Sequence, residues 1–352
     1  LGLPWTLKVA WAPLVDRFGS RQTWIVASLL TAAAVLFLLP FADPSQPGLV
    51  VWTLLLLLTL ASATQDIAID AYTIGLLAPG EEGAANGVRV SAYRVALIVA
   101  GGGLLLVSAA LGWTGGFHLA AIICVLLAVV LWRSPRPPAP DAERRRRWFA
   151  DLRTWLLRPG GAAVIAFVLT YKLGDAAMGP MVRPFWVDRG LSLEEIGIIT
   201  NTLGVGLAVA GALLGGWFTG RAGIVAALWV LGAAQALSNL GYAGAAWFEL
   251  GRTGIYAASM LESFTGGLGT AAFLSFLMNV CDKQHAAVQY AFLSALFGLT
   301  RSLAGAASGW ATTELGYAAY FALTFLLTLP AFALLPRAVA WVRPPDRGSE
   351  FA

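Results

Sequence analysis

The chain has 352 residues, of which 58% are hydrophobic and only 12% charged, and its formal net charge is +4. A soluble domain keeps about 25% charged residues, so most of this surface faces lipid, and the basic balance does not point to nucleic acid. Cys124 and Cys281 lie in or beside apolar runs and give no disulfide framework; His118 and His285 are far apart and form no metal-ligand cluster, so no metal or cofactor is expected.

The opening apolar stretch, Leu3 to Val15, is shorter than the roughly 20 residues a span needs. It reads as the tail of a helix whose beginning precedes the chain. It has neither the basic start nor the small-residue cleavage site of a signal peptide. Lys8 sits within it, between Trp5 and Trp11. Apolar runs of spanning length then predict helices over 22–40, 49–75, 88–111, 114–132, 162–182, 193–218, 223–244, 253–280, 286–311 and 316–336. Turn residues punctuate them at Asp43-Pro44, Pro79-Gly80, Gly112 to Gly116 and Gly251.

Alternating these spans sorts the basic residues into two unequal sets. One side holds Arg17, Arg21, Arg133, Arg136, Arg144 to Arg147, Arg153, Arg158, Arg221, Lys283, Arg337, Arg343 and Arg347; the other holds only Arg183, Arg189 and Arg252. The rich side is predicted to be cytoplasmic, with the C-terminus on it. The proline- and arginine-rich stretch 133–161 reads as a basic linker, with a surface helix around Trp148 to Leu157. It separates an incomplete helical bundle, 1–132, from a six-helix bundle, 162–337, and residues 338–352 form a tail.

Ionisable residues at membrane depth are costly, which makes each one a functional candidate. Asp66 and Asp70, one helical turn apart in Ala63-Thr64-Gln65-Asp66-Ile67-Ala68-Ile69-Asp70-Ala71-Tyr72, lie on one face with Gln65 and Tyr72 near it. They serve either as proton carriers or as structural partners for Arg89 and Arg94 of the next helix, on which Tyr93 shares the face of Arg89. Lys172 and Asp175, three apart, either neutralise each other or face a cavity. Glu262 begins a stripe with Gly266 and Gly269, and Arg301 lies on one with Gly298, Gly305 and Ser308. These two either meet as a structural pair or line a cavity. Trp186 is placed at the outer face as a belt residue, with sugar stacking as the other reading. The proton-coupling candidates are therefore Asp66, Asp70, Asp175 and Glu262. The substrate-binding candidates are Gln65, Tyr93, Arg94, Lys172 and Arg301. No serine nucleophile or histidine pair supports an enzyme.

The layout of two six-helix halves around a basic loop resembles that of major facilitator transporters, as does the turn Asp16-Arg17-Phe18-Gly19-Ser20-Arg21. In that family such a turn acts as a cytoplasmic latch, here Asp16, Arg17, Gly19 and Arg21; the matching loop Gly215 to Gly223 keeps Arg221 but lacks the acid. More narrowly, Trp11-Ala12-Pro13-Leu14-Val15-Asp16-Arg17, the Ala63–Tyr72 segment, Asn86-Gly87 with Arg89 and Tyr93-Arg94, Phe185-Trp186-Val187-Asp188, Glu262-Ser263 and Gln289-Tyr290-Ala291 resemble the muropeptide permease (AmpG-type) family, to which acetyl-CoA transporters are related. A turn that family often writes Glu-Arg-Gly is Glu81-Glu82-Gly83 here. The resemblance implies an all-α polytopic membrane protein of the major facilitator fold, with two pseudo-symmetric six-helix bundles lacking the first helix and part of the second. It implies a monomeric permease of the cell inner membrane that imports muropeptide-like cell-wall fragments by proton symport and alternating access, in cell wall recycling. Its partners would be a small-molecule substrate, protons and the lipid bilayer. Movement of another organic solute, such as a drug, sugar or acyl-CoA, is the alternative; a non-transporting sensor on the same fold is a third.

Overall fold

The computed structural model describes residues 3–42, 47–138 and 148–343. The Asp43-Pro44 turn, the Arg144 to Arg147 run and the tail beyond Arg343 lie outside the described residues. Among those described, the regular structure is helical throughout.

The short helix α1 (Leu3–Leu7) passes through a 3₁₀ turn toward α2 (Ala12–Arg17). Gly19, at φ +65°, turns the chain into α3 (Arg21–Leu38). Ser20 caps this helix, its side chain accepting from the Thr23 N–H. Next come α4 (Leu49–Leu76) and α5 (Glu82–Ile98), the latter running through a π-helical turn, Val99–Gly103, into α6 (Leu104–Trp132). The linker helix α7 (Trp148–Leu156) precedes α8 (Gly161–Tyr171) and α9 (Leu173–Asp188), which meet at a break on Lys172. A capping box of Ser192 and Glu195 starts α10 (Leu193–Ile198), which continues through a second π-helical turn, Ile199–Leu203, into α11 (Gly204–Ala222). The remaining helices are α12 (Ile224–Trp247), α13 (Arg252–Val280), α14 (Ala286–Leu326) and α15 (Leu329–Ala338).

Eight helical stretches among the described residues are long and apolar enough to cross a membrane. Two of them, Glu82–Trp132 at 51 residues and Lys283–Trp341 at 59, have the length of two spans each. Each is broken at one glycine: Gly112 at φ 74°, ψ 169° and Gly316 at φ 73°, ψ 162°. That conformation is essentially closed to residues with a Cβ. The ten spans expected from hydropathy all fall on observed helices. Two boundaries differ most. Helix α5 starts at Glu82, not 88, because the polar residues there are packed: Asn86 is fully buried and donates to the Glu82 carbonyl at 2.8 Å. Helix α9 runs to Asp188 through Pro180 and Pro184, a pattern tolerated where neighbouring helices re-satisfy the freed backbone groups.

The chain divides into two compact units. The first comprises Leu1–Leu76, Ala96–Trp155 and Cys281–Ala295; the second comprises Leu77–Val95, Leu156–Val280 and Leu296–Ala352. In the first, α3 packs on α4 and α6. In the second, α13 packs on α11 and α12, with small residues at the contact: a Cβ on Gly215 would lie 2.6 Å from the Leu268 carbonyl oxygen. The first turns of α5 join the second unit, where a Cβ on Gly83 would come within 2.6 Å of the Gly216 oxygen. An aromatic core in the second unit gathers Phe185, Trp186, Tyr242 and Phe321. Trp186 is only 4% exposed there, so it is neither a belt residue nor a sugar platform: the face of α9 that carries it turns inward.

Candidate functional site

Lys172, at the N-cap of α9, and Asp175, Ala176, Gly179, Pro180 and Arg183 of that helix face one cavity of about 680 Å³ in the second unit. Their spacing of three and four is one face of a helix. Helix α13 adds Glu262 and Thr270, α14 adds Phe297 and Arg301, and α5 adds Arg94. The volume falls within the range of about 300–1,000 Å³ typical of small-molecule sites. Four bases and two acids line it, an excess of positive charge suited to an anionic guest.

At the break between α8 and α9, Lys172 is held from three sides. Its Nζ donates to Gln235 Oε1 at 2.5 Å, to Thr270 Oγ1 at 3.1 Å and to Asp175 Oδ2 at 3.2 Å. Gln235 in turn donates through Nε2 to Asp175. The side chain of Lys172 is buried and that of Asp175 is 24% exposed. Aromatic rings support this floor: Tyr171 stacks on Phe273 at 5.3 Å, and Phe273 meets Phe297 edge-on at 5.5 Å. The Glu262 carboxylate accepts one hydrogen bond among the described residues, from the Ser263 hydroxyl at 3.5 Å. Arg94, Arg183 and Arg301 line the same cavity and form no ion pair or hydrogen bond among the described residues.

The candidates read from sequence thus separate. Arg94, Lys172, Asp175, Glu262 and Arg301 converge on the cavity. Lys172 and Asp175 neutralise each other and face it as well. Glu262 and Arg301 share the lining without pairing. Tyr93 is 62% exposed and does not line the cavity. Arg183, Gln235 and Thr270 were not singled out by sequence: the first reads as one of three bases on the sparse side, and the others are neutral side chains in apolar helices.

Asp66, Asp70 and Gln65 belong to the first unit. Asp66 accepts from Lys8 Nζ at 2.6 Å, a partner in the opening segment that the sequence reading did not name. Trp11 Nε1 donates to Thr64 Oγ1 at 3.1 Å one half-turn away, tying the same segment to α4. Asp70 is buried at 2% exposure, and Gln65 is half-buried.

The Asp16–Arg21 turn is also built into the first unit. Asp16, 3% exposed, accepts from the N–H groups of Val288 at 3.1 Å and Ala287 at 3.4 Å, in the first turn of α14. A carboxylate there satisfies free donors and complements the helix dipole. Burial pushes the Asp16 carboxyl above the usual range, while Arg21 and the two N–H groups pull it down. Arg21 donates to the Ala71 carbonyl at 3.0 Å, the Lys283 carbonyl at 2.6 Å and Asp16 at 3.4 Å. Arg17 lies over the Phe18 ring and is exposed. In the second unit, Glu82 holds a comparable place: its carboxylate accepts from Asn279 Nδ2 at 2.9 Å and from the Gly80 N–H at 2.8 Å.

Residues 3–172 match the Major Facilitator Superfamily. The anhydromuropeptide permease of Escherichia coli is 30% identical over 347 residues, covering 95% of this chain and 70% of that protein. Among solved structures, the E. coli fucose:proton symporter aligns with a TM-score of 0.71 at 14% identity, over 95% of this chain and 87% of the other. A bacterial homologue of the iron transporter ferroportin, in an outward-facing state, aligns with a TM-score of 0.64 at 17% identity, over 96% and 87%. At such identities these two likenesses show the fold.

Proposed function

The chain belongs to the muropeptide permease (AmpG-type) family of the major facilitator superfamily, and from that premise we propose that it imports muropeptide-like cell-wall fragments by proton-coupled alternating access. It is a multi-pass membrane protein and a secondary transporter, not an enzyme. The observation that carries the cargo assignment is the cavity, whose bases outnumber its acids and whose guanidinium groups form no ion pair or hydrogen bond among the described residues. A muropeptide offers carboxylates for Arg94 and Arg301, an amine for an acid, and sugar faces for an aromatic ring such as Phe297.

Glu262 is the proton carrier in this reading. Asp175 is held by Lys172 and Gln235, and Asp66 by Lys8. Glu262 faces the cavity with no base inside ion-pair distance among the described residues, so exchanging its proton breaks no such pair. The bundles 1–132 and 162–337, joined by the basic linker 133–161, are the moving parts, and the Asp16–Arg21 turn is the latch. The inner membrane and a cytoplasmic C-terminus complete the reading, supported by the lopsided distribution of Arg and Lys.

Uptake of a labelled anhydromuropeptide into vesicles, with and without an inward proton gradient, tests this. The gradient is expected to drive accumulation, and Glu262→Gln to abolish that drive while leaving exchange of cargo across a gradient-free membrane. Uptake indifferent to the gradient rejects the coupling. Movement of a drug or a neutral sugar, with none of the muropeptide, rejects the cargo.

A further inference from the structure

Of the four bases around the cavity, Lys172 is already spent on protein partners, with Asp175, Gln235 and Thr270 surrounding its ammonium group. Three guanidinium groups remain, on Arg94, Arg183 and Arg301, and the one acid not held by a base is Glu262. Arg301 and Arg94 belong to the Lys172 end of the cavity: Thr300, beside Arg301, donates to the Leu169 carbonyl at 3.1 Å, and Arg94 is an electrostatic neighbour of Lys172. Arg183 lies at a different level. It lies on the same α9 face as Lys172 but eleven residues further on, which is about 16 Å along the helix axis. A topology determinant has no need to face a cavity, yet Arg183 does, and no carboxylate of the protein answers it among the described residues.

We propose that Arg183 binds a carboxylate of the cargo separate from the one held at Arg94 and Arg301, so that the cavity selects elongated solutes carrying at least two carboxylates set well apart. Lys172 is then a positioning residue for Asp175 and not a cargo contact. This deepens the transport reading above and rests on the same cavity. A guanidinium fits the task because its fork of donors matches a carboxylate in two parallel bonds, where an ammonium offers a point charge.

Binding to the purified protein in detergent tests it, by titration calorimetry on the unmodified protein, Arg183→Gln and Arg183→Lys. The probes are an anhydromuropeptide with all its carboxylates free, the same molecule with each carboxylate amidated in turn, and an acidic peptide bearing two carboxylates with its singly amidated form. Arg183→Gln is expected to weaken the fully ionised muropeptide by about tenfold or more, the scale of a lost charge-assisted hydrogen bond. One amidated form is expected to bind both proteins alike, and Arg183→Lys to recover only part of the affinity. An equal loss for every probe, amidated or not, marks a general electrostatic or folding effect and overturns the proposal, as does no loss at all. If the muropeptides do not bind but the two-carboxylate peptide does, with the same dependence on Arg183, the cargo assignment fails and this inference stands. If neither class binds, both fail.

Discussion

At the scale of single residues, the chemistry concentrates where charge is buried with few partners. Lys172, Gln235 and Asp175 form a closed triangle of donors and acceptors, and removing one corner exposes the others. Lys172→Met is expected to lower stability by about 2–3 kcal/mol, below the ~3–5 of fully buried pairs because a quarter of the Asp175 side chain meets solvent. Thermal unfolding in detergent reads this, and adding Asp175→Asn should recover most of the loss; a variant as stable as the parent contradicts the triangle. Glu262 and Arg301 were legible in the sequence because an ionisable residue in an apolar run is rare. Gln235 was not, since a neutral amide in such a run carries little cost and its partner lies 63 positions away. The Lys8–Asp66 pair was missed for a similar reason: the two lie 58 positions apart, and only the packing of the opening segment on α4 brings them together.

Among the elements, the discontinuities are more informative than the spans. Leu111-Gly112-Trp113 and Leu315-Gly316-Tyr317 turn the chain with nearly the same dihedral angles, one in each unit, as expected of corresponding positions in an internally repeated fold. Gly112→Ala and Gly316→Ala should each cost about 1–3 kcal/mol through backbone strain alone, since a Cβ at either site meets nothing within 4 Å. Melting curves that do not move would show the turns to be less constrained. The close approach of α5 and α11 sets a different limit. Gly83→Val would drive a side chain against the Gly216 carbonyl, and the two helices must separate to admit it. Loss of folded protein, seen as aggregation on size-exclusion chromatography, is the expected result. Hydropathy located every span, but the start of α5 and the passage of α9 through two prolines escaped it. Both depend on what the neighbouring helices supply to the backbone.

For the whole molecule, the Asp16–Arg21 turn links distant parts of the sequence: a carboxylate at position 16 caps a helix that begins at 286. In the latch proposed above, this contact is made and broken in each transport cycle. Asp16→Asn should therefore slow the initial uptake rate several-fold while cargo affinity stays within about twofold, the pattern of a changed conformational balance and not of a damaged site. A variant with lowered affinity and an unchanged maximal rate would contradict that role. Composition, apolar run length and the distribution of arginine sufficed to read a polytopic α-helical protein, because a bilayer imposes length, charge poverty and backbone self-sufficiency on every span. Local motifs marked the turn and the intramembrane charges for the same reason, each being costly unless used. Which charges meet was decided only by tertiary packing. Arg94, Lys172, Asp175, Glu262 and Arg301 come from four separate helices, and their convergence depends on contacts that no local pattern encodes.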